Sequence, residues 1–180
     1  MRTVFRGRRI EVLAGEAVLP NGKRVYREYV RHPGAVVVLP EDDEGRILLL
    51  EQYRVPVGEW ILELPAGTLE PGEDPASAAL RELEEEAGLR ARRIDYMFSF
   101  YASPGISSEV LHAFIARQFE EGQQRLERGE LVRRLVWVKP EDVVPMIRSR
   151  VIKDGKTIAV LLYYLSAVSP RQGRERRDAT

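Results

Sequence analysis

The 180-residue chain has no cysteine, two histidines, one asparagine and four lysines. Without cysteine there are no disulfides and no thiolate metal sites. Two histidines also speak against a zinc centre. Basic and acidic residues balance at 28 each, so the net charge is zero. That balance gives no basis for general binding to nucleic acid or to a membrane. No apolar run approaches the roughly 20 residues that a membrane span needs. The first residues, MRTVFRGRRIEV, are basic but carry no apolar stretch, so no secretory leader is expected. Arginine outnumbers lysine 24 to 4. A high-temperature source or a skewed genomic base composition would both give this bias. The expectation is a soluble, cytoplasmic protein of one domain, long enough for a real core.

The most informative stretch runs from Gly67 to Leu89 and reads GTLEPGEDPASAALRELEEEAGL. Asp74 suits an N-cap, Pro75 the first helical position and Gly88 the C′ position, which predicts a helix ending at Ala87. Ala76, Ala79, Leu80, Leu83 and Ala87 form a narrow apolar stripe at about 100° per residue. Glu82, Glu85 and Glu86 fall at i, i+3 and i+4, on one face and on the flank of that stripe. Three like charges so close repel each other, and a hard divalent cation turns that repulsion into binding. Before the helix, Glu70-Pro71-Gly72-Glu73 suits a type II turn.

This segment resembles the Nudix box. The family pattern is Gly, five residues, Glu, seven residues, then Arg-Glu-apolar-any-Glu-Glu-any-Gly-apolar. Gly67, Glu73, Arg81, Glu82, Leu83, Glu85, Glu86, Gly88 and Leu89 occupy those positions, with no departure. From the chain's own residue usage, a chance match is roughly one in a hundred million per start position. The box covers 23 of 180 residues, so the rest must be read separately. The resemblance implies an α/β/α sandwich with a mixed sheet and hydrolysis of a nucleoside diphosphate linkage. It implies Mg²⁺, with Mn²⁺ or another divalent ion as alternatives, held by Glu82, Glu85, Glu86 and the carbonyl of Ala66. It also implies that Arg81 pairs with Glu73 and braces the loop over the helix.

The rest of the chain reads as an α/β fold. Residues 11–19 and 23–30 flank Pro20-Asn21-Gly22, a hairpin signal. Strands are expected at 35–39, 46–52, 60–64, 94–101, 109–118 and 131–138, and helices at 139–150 and 157–168. These divide into an N-terminal β-hairpin extension (1–33), a hydrolase domain (34–170) and a disordered tail (171–180).

Substrate choice lies outside the box. Ser103-Pro104-Gly105 places a proline 15 residues after Leu89, where the ADP-ribose pyrophosphatase branch carries a marker; an ordinary turn is the other reading. Glu51-Gln52-Tyr53-Arg54 resembles a segment that brings an Arg to the substrate phosphates, against a plain surface ion pair for Arg54. In the same branch the N-terminal segment exchanges between subunits. That resemblance implies a homodimer in which Arg27, Glu28 and Tyr29 reach a partner's ligand; the alternative is an extra sheet packed on its own domain. A general base is expected among Glu120, Glu121, Glu127 and Glu130, or among the box carboxylates themselves. The resulting expectation is hydrolysis of ADP-ribose to AMP and ribose 5-phosphate. The alternatives are another ADP-sugar, a dinucleotide or an oxidised nucleotide as substrate, or a module that binds nucleotide without cleaving it.

Overall fold

The computed structural model describes residues 1–174 and orders them as ten strands and three helices. β4 (Ala35–Pro40) is buried along its whole length, and its side chains alternate between two cores. Val37 and Leu39 enter one, Val36 and Val38 the other. β5 (Ile47–Arg54) divides in the same way, with Ile47 and Leu49 opposite Leu48 and Leu50. A strand buried on both faces reads as a continuous apolar run, which is how both appear in the sequence.

Two sheets supply this central layer. One has the order β7-β4-β9-β8, from β7 (Ala66–Thr68), β9 (Val110–Glu121) and β8 (Leu89–Tyr101), with β4 and β9 parallel and the other pairs antiparallel. The other has the order β10-β5-β6, from β10 (Val132–Val138) and β6 (Glu59–Glu63), all antiparallel. On one face α1 (Pro75–Ala87) packs Ala78, Ala79, Leu83 and Ala87 against β4, β5 and β9. On the other face lie Val143 of α2 (Pro140–Arg148) and Val160, Leu161 and Tyr164 of α3 (Gly155–Arg174). The arrangement is the expected α/β/α sandwich with a mixed sheet. α3 carries the backbone through Arg174, past the start of the expected tail, and residues 175–180 lie outside those described.

The N-terminal hairpin is present, and it is larger than expected. β2 (Glu11–Val18) and β3 (Arg24–Arg31) pair in register, and β1 (Arg2–Arg6) adds a third strand on β2. The turn between β2 and β3 has Gly22 at φ 81° with its N–H donating to the carbonyl of Leu19 at 2.8 Å. Asn21 keeps a negative φ, so the loop is a type I turn closed by a left-handed glycine. This sheet joins the body beside the β8–β9 loop, where Val30 donates to Ile106 at 2.8 Å and Ser108 donates to Val30 at 2.9 Å. No helix among the described residues is long and apolar enough to cross a membrane.

Candidate active site

The loop, turn and helix of the box fold as the local chemistry dictates. Glu73 donates its N–H to the carbonyl of Glu70 at 3.0 Å, and Gly72 has φ 77°, as a type II turn requires. The Asp74 side chain accepts from the N–H of Ser77 at 3.0 Å and caps α1. Gly88 ends the helix in the left-handed region at φ 66°, its N–H on the carbonyl of Glu84.

The buried face of α1 is rotated from the expected stripe. Leu80 is 37% exposed, while Ala78, Glu82 and Glu86 are buried. Glu82 and Glu86 therefore point into the protein, not along its flank, and Glu85 stays at the margin. The rotation follows from size: small residues at 78 and 79 let the helix approach β4 closely, with Glu82 and Glu86 one turn apart on the same side.

Glu82 occupies the space where a side chain of residue 67 would be. A Cβ added to Gly67 would lie 1.8 Å from Glu82 Cδ. The glycine of the motif is thus required by the carboxylate packed on it.

Arg81 joins the charged residues into one network. Its Nε and Nη2 donate to Glu73 at 2.8 and 3.0 Å, and its Nη1 donates to Glu82 at 2.7 Å and Glu85 at 3.0 Å. Glu73 also accepts from the N–H of Glu70 at 2.9 Å, which ties the turn to the helix. The Arg81 pairing holds the Glu73 carboxyl below its usual range. Glu86 is 1% exposed and accepts from the N–H of Ala66 at 2.8 Å. Burial pushes Glu86 up to about 8, opposed by the Ala66 N–H and reinforced by Glu82 and Glu130. Burial also raises Glu82, with Arg81 pulling the other way. With Glu82 and Glu85 on Arg81 and Glu86 on Ala66, no three such groups among the described residues are arranged to hold an ion as they stand. The donor set nevertheless suits a hard cation: Glu82, Glu85 and Glu86 lie on one side of α1, and burial, reinforced by neighbouring carboxylates, disfavours the charged forms of Glu82 and Glu86, which a cation would relieve.

The box borders a cleft of about 1240 Å³, whose lining does not include Glu85 or Glu86. Its walls include Ala66, Gly67 and Glu82 from the box, Arg6 to Glu11 and Arg31 from the N-terminal sheet, and Arg54 from β5. Arg54 is clamped by Glu63, with Nε and Nη2 each 2.8 Å from a carboxylate oxygen. That bidentate pair leaves Nη1 outside it. Of the candidate bases, Glu127 and Glu130 line the cleft; Glu120 and Glu121 end β9 outside it, with Glu120 paired to Arg92. The loop carrying Glu127 and Glu130 is fastened to the end of α1. Gln124 donates to the carbonyl of Glu86 at 2.7 Å, and Arg125 donates to that of Glu85 at 2.8 Å. Glu127 also pairs with Arg9.

The remaining candidates lie elsewhere. Arg27 and Glu28 are exposed on β3 and do not line the cleft of their own chain. Pro104 and Gly105 form an exposed turn at the β8–β9 loop, near the mouth but outside the lining. Sequence reasoning missed Asp154, Lys156 and Thr157 at the start of α3, of which Asp154 and Lys156 line the cleft. The Asp-Gly-Lys-Thr string before an apolar helix is an N-cap signal that points to them. It also missed Glu63, whose carboxylate is buried at the end of β6.

The chain is similar to known proteins over most of its length. The chain is 41% identical over 162 residues to the ADP-ribose pyrophosphatase of Bacillus subtilis, covering 89% of the chain and 87% of the relative. It is 39% identical over 162 residues to the methanol dehydrogenase activator of Bacillus methanolicus, with the same coverage. A crystal structure of an ADP compounds hydrolase superposes with a TM-score of 0.79 at 22% identity, covering 94% of this chain and 92% of that one, which shows the shared fold. The NUDIX domain model matches residues 30–161, and the chain belongs to the NUDIX family.

Proposed function

We propose that the protein hydrolyses ADP-ribose to AMP and ribose 5-phosphate in the cytoplasm, with Mg²⁺ as the natural cation and Mn²⁺ as a substitute. The observation that carries this reading is the complete box, Gly67, Glu73, Arg81, Glu82, Glu85 and Glu86, folded against a cleft large enough for a nucleotide sugar. Similarity to a protein named ADP-ribose pyrophosphatase supports the substrate.

Glu82, Glu85 and Glu86, with the carbonyl of Ala66, would hold the cation. When bound, it neutralises the diphosphate and activates water for attack. Glu73 and Arg81 fix the helix against the loop and so set the carboxylate positions. Arg54 presents the free edge of its guanidinium to a phosphate. Water adds to one phosphorus, the bridging P–O bond breaks, and the proton of the water passes to a carboxylate. Glu130 is our candidate for that role. It lines the cleft, and its charge is felt by both Glu82 and Glu86.

The working unit in this reading is a homodimer. The first 33 residues hold eight Lys and Arg against three Glu, so the rest of the chain carries the opposite excess. Every residue of β1 is exposed, and Arg27 and Glu28 are exposed outside the lining of their own cleft. A basic sheet of this kind suits the acidic body of a second copy and brings Arg27, Glu28 and Tyr29 to its ligand.

The test is a phosphatase-coupled phosphate-release screen over ADP-ribose, other ADP-sugars, dinucleotides and oxidised nucleotides, with and without Mg²⁺. Fastest turnover of ADP-ribose, dependent on Mg²⁺, is the expected result. Preference for another compound would change the substrate, and no turnover of any would favour a binding module.

A further inference from the structure

Glu63 raises a physical question. It is 1% exposed at the end of β6, yet an apolar side chain would fill that position without the cost of burying an ion. Its carboxylate holds two cations, Arg54 through a two-point fork and Lys156 through its ammonium. Both cations face the cleft. Arg54 lies in the fields of Glu86 and Asp154 as well as of Glu63, so this pair of cations sits at the carboxylate end of the cleft.

Lys156 is held there from a second direction. It lies in the first turn of α3, where the Asp154 side chain accepts from the N–H of Thr157 at 2.9 Å. The Thr157 hydroxyl, fully buried, accepts from the N–H of Leu64 at 2.9 Å. That bond joins the helix to the strand connection that continues into Ala66 and Gly67. The ammonium has three donors, and Glu63 and Asp154 take two, the latter at 3.0 Å.

We propose that Lys156 is a second cationic contact for the substrate diphosphate, and that Glu63 is a positioning residue that aims Lys156 and Arg54 together. This rests on the hydrolase reading above. A diphosphate presents two anionic groups. A guanidinium edge suits one, and a compact ammonium suits the other. Holding both cations on one buried carboxylate sets their spacing before substrate arrives.

The experiment compares wild type with Lys156→Gln, Lys156→Arg and Glu63→Gln. KM and kcat for ADP-ribose are measured at saturating Mg²⁺, with thermal stability recorded for each variant. Loss of a charged contact predicts a KM increase of about tenfold to a hundredfold for Lys156→Gln, with kcat changed far less. Lys156→Arg keeps the charge and should recover part of the loss. Glu63→Gln should raise KM at least as much, since both cations lose their anchor. An unchanged KM for a folded Lys156→Gln overturns the proposal. Calorimetric titration with inorganic pyrophosphate provides a separate readout. Weaker binding to Lys156→Gln than to wild type supports the contact even if ADP-ribose proves not to be the substrate, and equal binding overturns it.

Discussion

Gly67 and Glu82 share one space: a methyl group on the first would lie 1.8 Å from the carboxylate carbon of the second. Gly67 has no positive φ, so its backbone is open to any residue and the conflict is steric alone. Gly67→Ala should therefore displace Glu82 and cut kcat by about a hundredfold or more, the scale of a misplaced catalytic group. The double variant Gly67→Ala with Glu82→Ala should regain thermal stability relative to Gly67→Ala but not activity. Equal stabilities for the single and double variants would place the strain elsewhere.

Arg81 binds Glu73, Glu82 and Glu85 together, so its removal acts on structure as well as on charge. Arg81→Ala should lose activity and about 1–3 kcal/mol of stability, or several degrees in Tm, because Glu73 is left without its partner. An unchanged Tm with a large loss of rate would place Arg81 on the substrate instead.

The pH dependence follows from Glu86. The unfolded chain ionises this carboxyl in the ordinary range, while burial keeps it protonated in the fold up to about 8. The folded state thus binds more protons across that window, and stability should fall as pH rises through it. In chelator, Tm should decline from about pH 5 to about pH 8, and Mg²⁺ should raise Tm more at the upper end. Glu86→Gln should flatten both trends. A Glu86→Gln protein with the same slope as wild type would assign the effect to other groups.

The N-terminal sheet offers a test of assembly. Removing residues 1–30 should leave a monomer and raise KM for ADP-ribose, while the Mg²⁺ shift in Tm persists. A monomeric full-length chain in sizing experiments would contradict the dimer.

The box was legible because its signals are local. A cap, a turn proline and a C′ glycine each act within a few residues, and Asp74, Gly72 and Gly88 do what their chemistry predicts. The face of α1 was not legible to the same degree. The period alone placed Leu80 inside, whereas tertiary packing buried Glu82 and Glu86, two residues that pattern reasoning keeps in water. β8 begins at Leu89, five residues before its expected start, because ion pairs such as Arg90 with Glu84 support a polar, arginine-rich strand. β1 and β7 were missed because a short strand has too few residues to show a period. The cleft itself could not be read, since Lys156 of α3 meets Glu63 across 93 positions of the chain, although Arg54 and Glu63 lie on neighbouring strands.

Cation-dependent cleavage of ADP-ribose through the carboxylates of α1 is tested by incubating wild type and Glu86→Gln side by side with ADP-ribose and saturating Mg²⁺ and separating the products by chromatography. Wild type should give equal amounts of AMP and ribose 5-phosphate, and a folded Glu86→Gln should be slower by about two orders of magnitude or more. A Glu86→Gln enzyme that turns over ADP-ribose at the wild-type rate would contradict it.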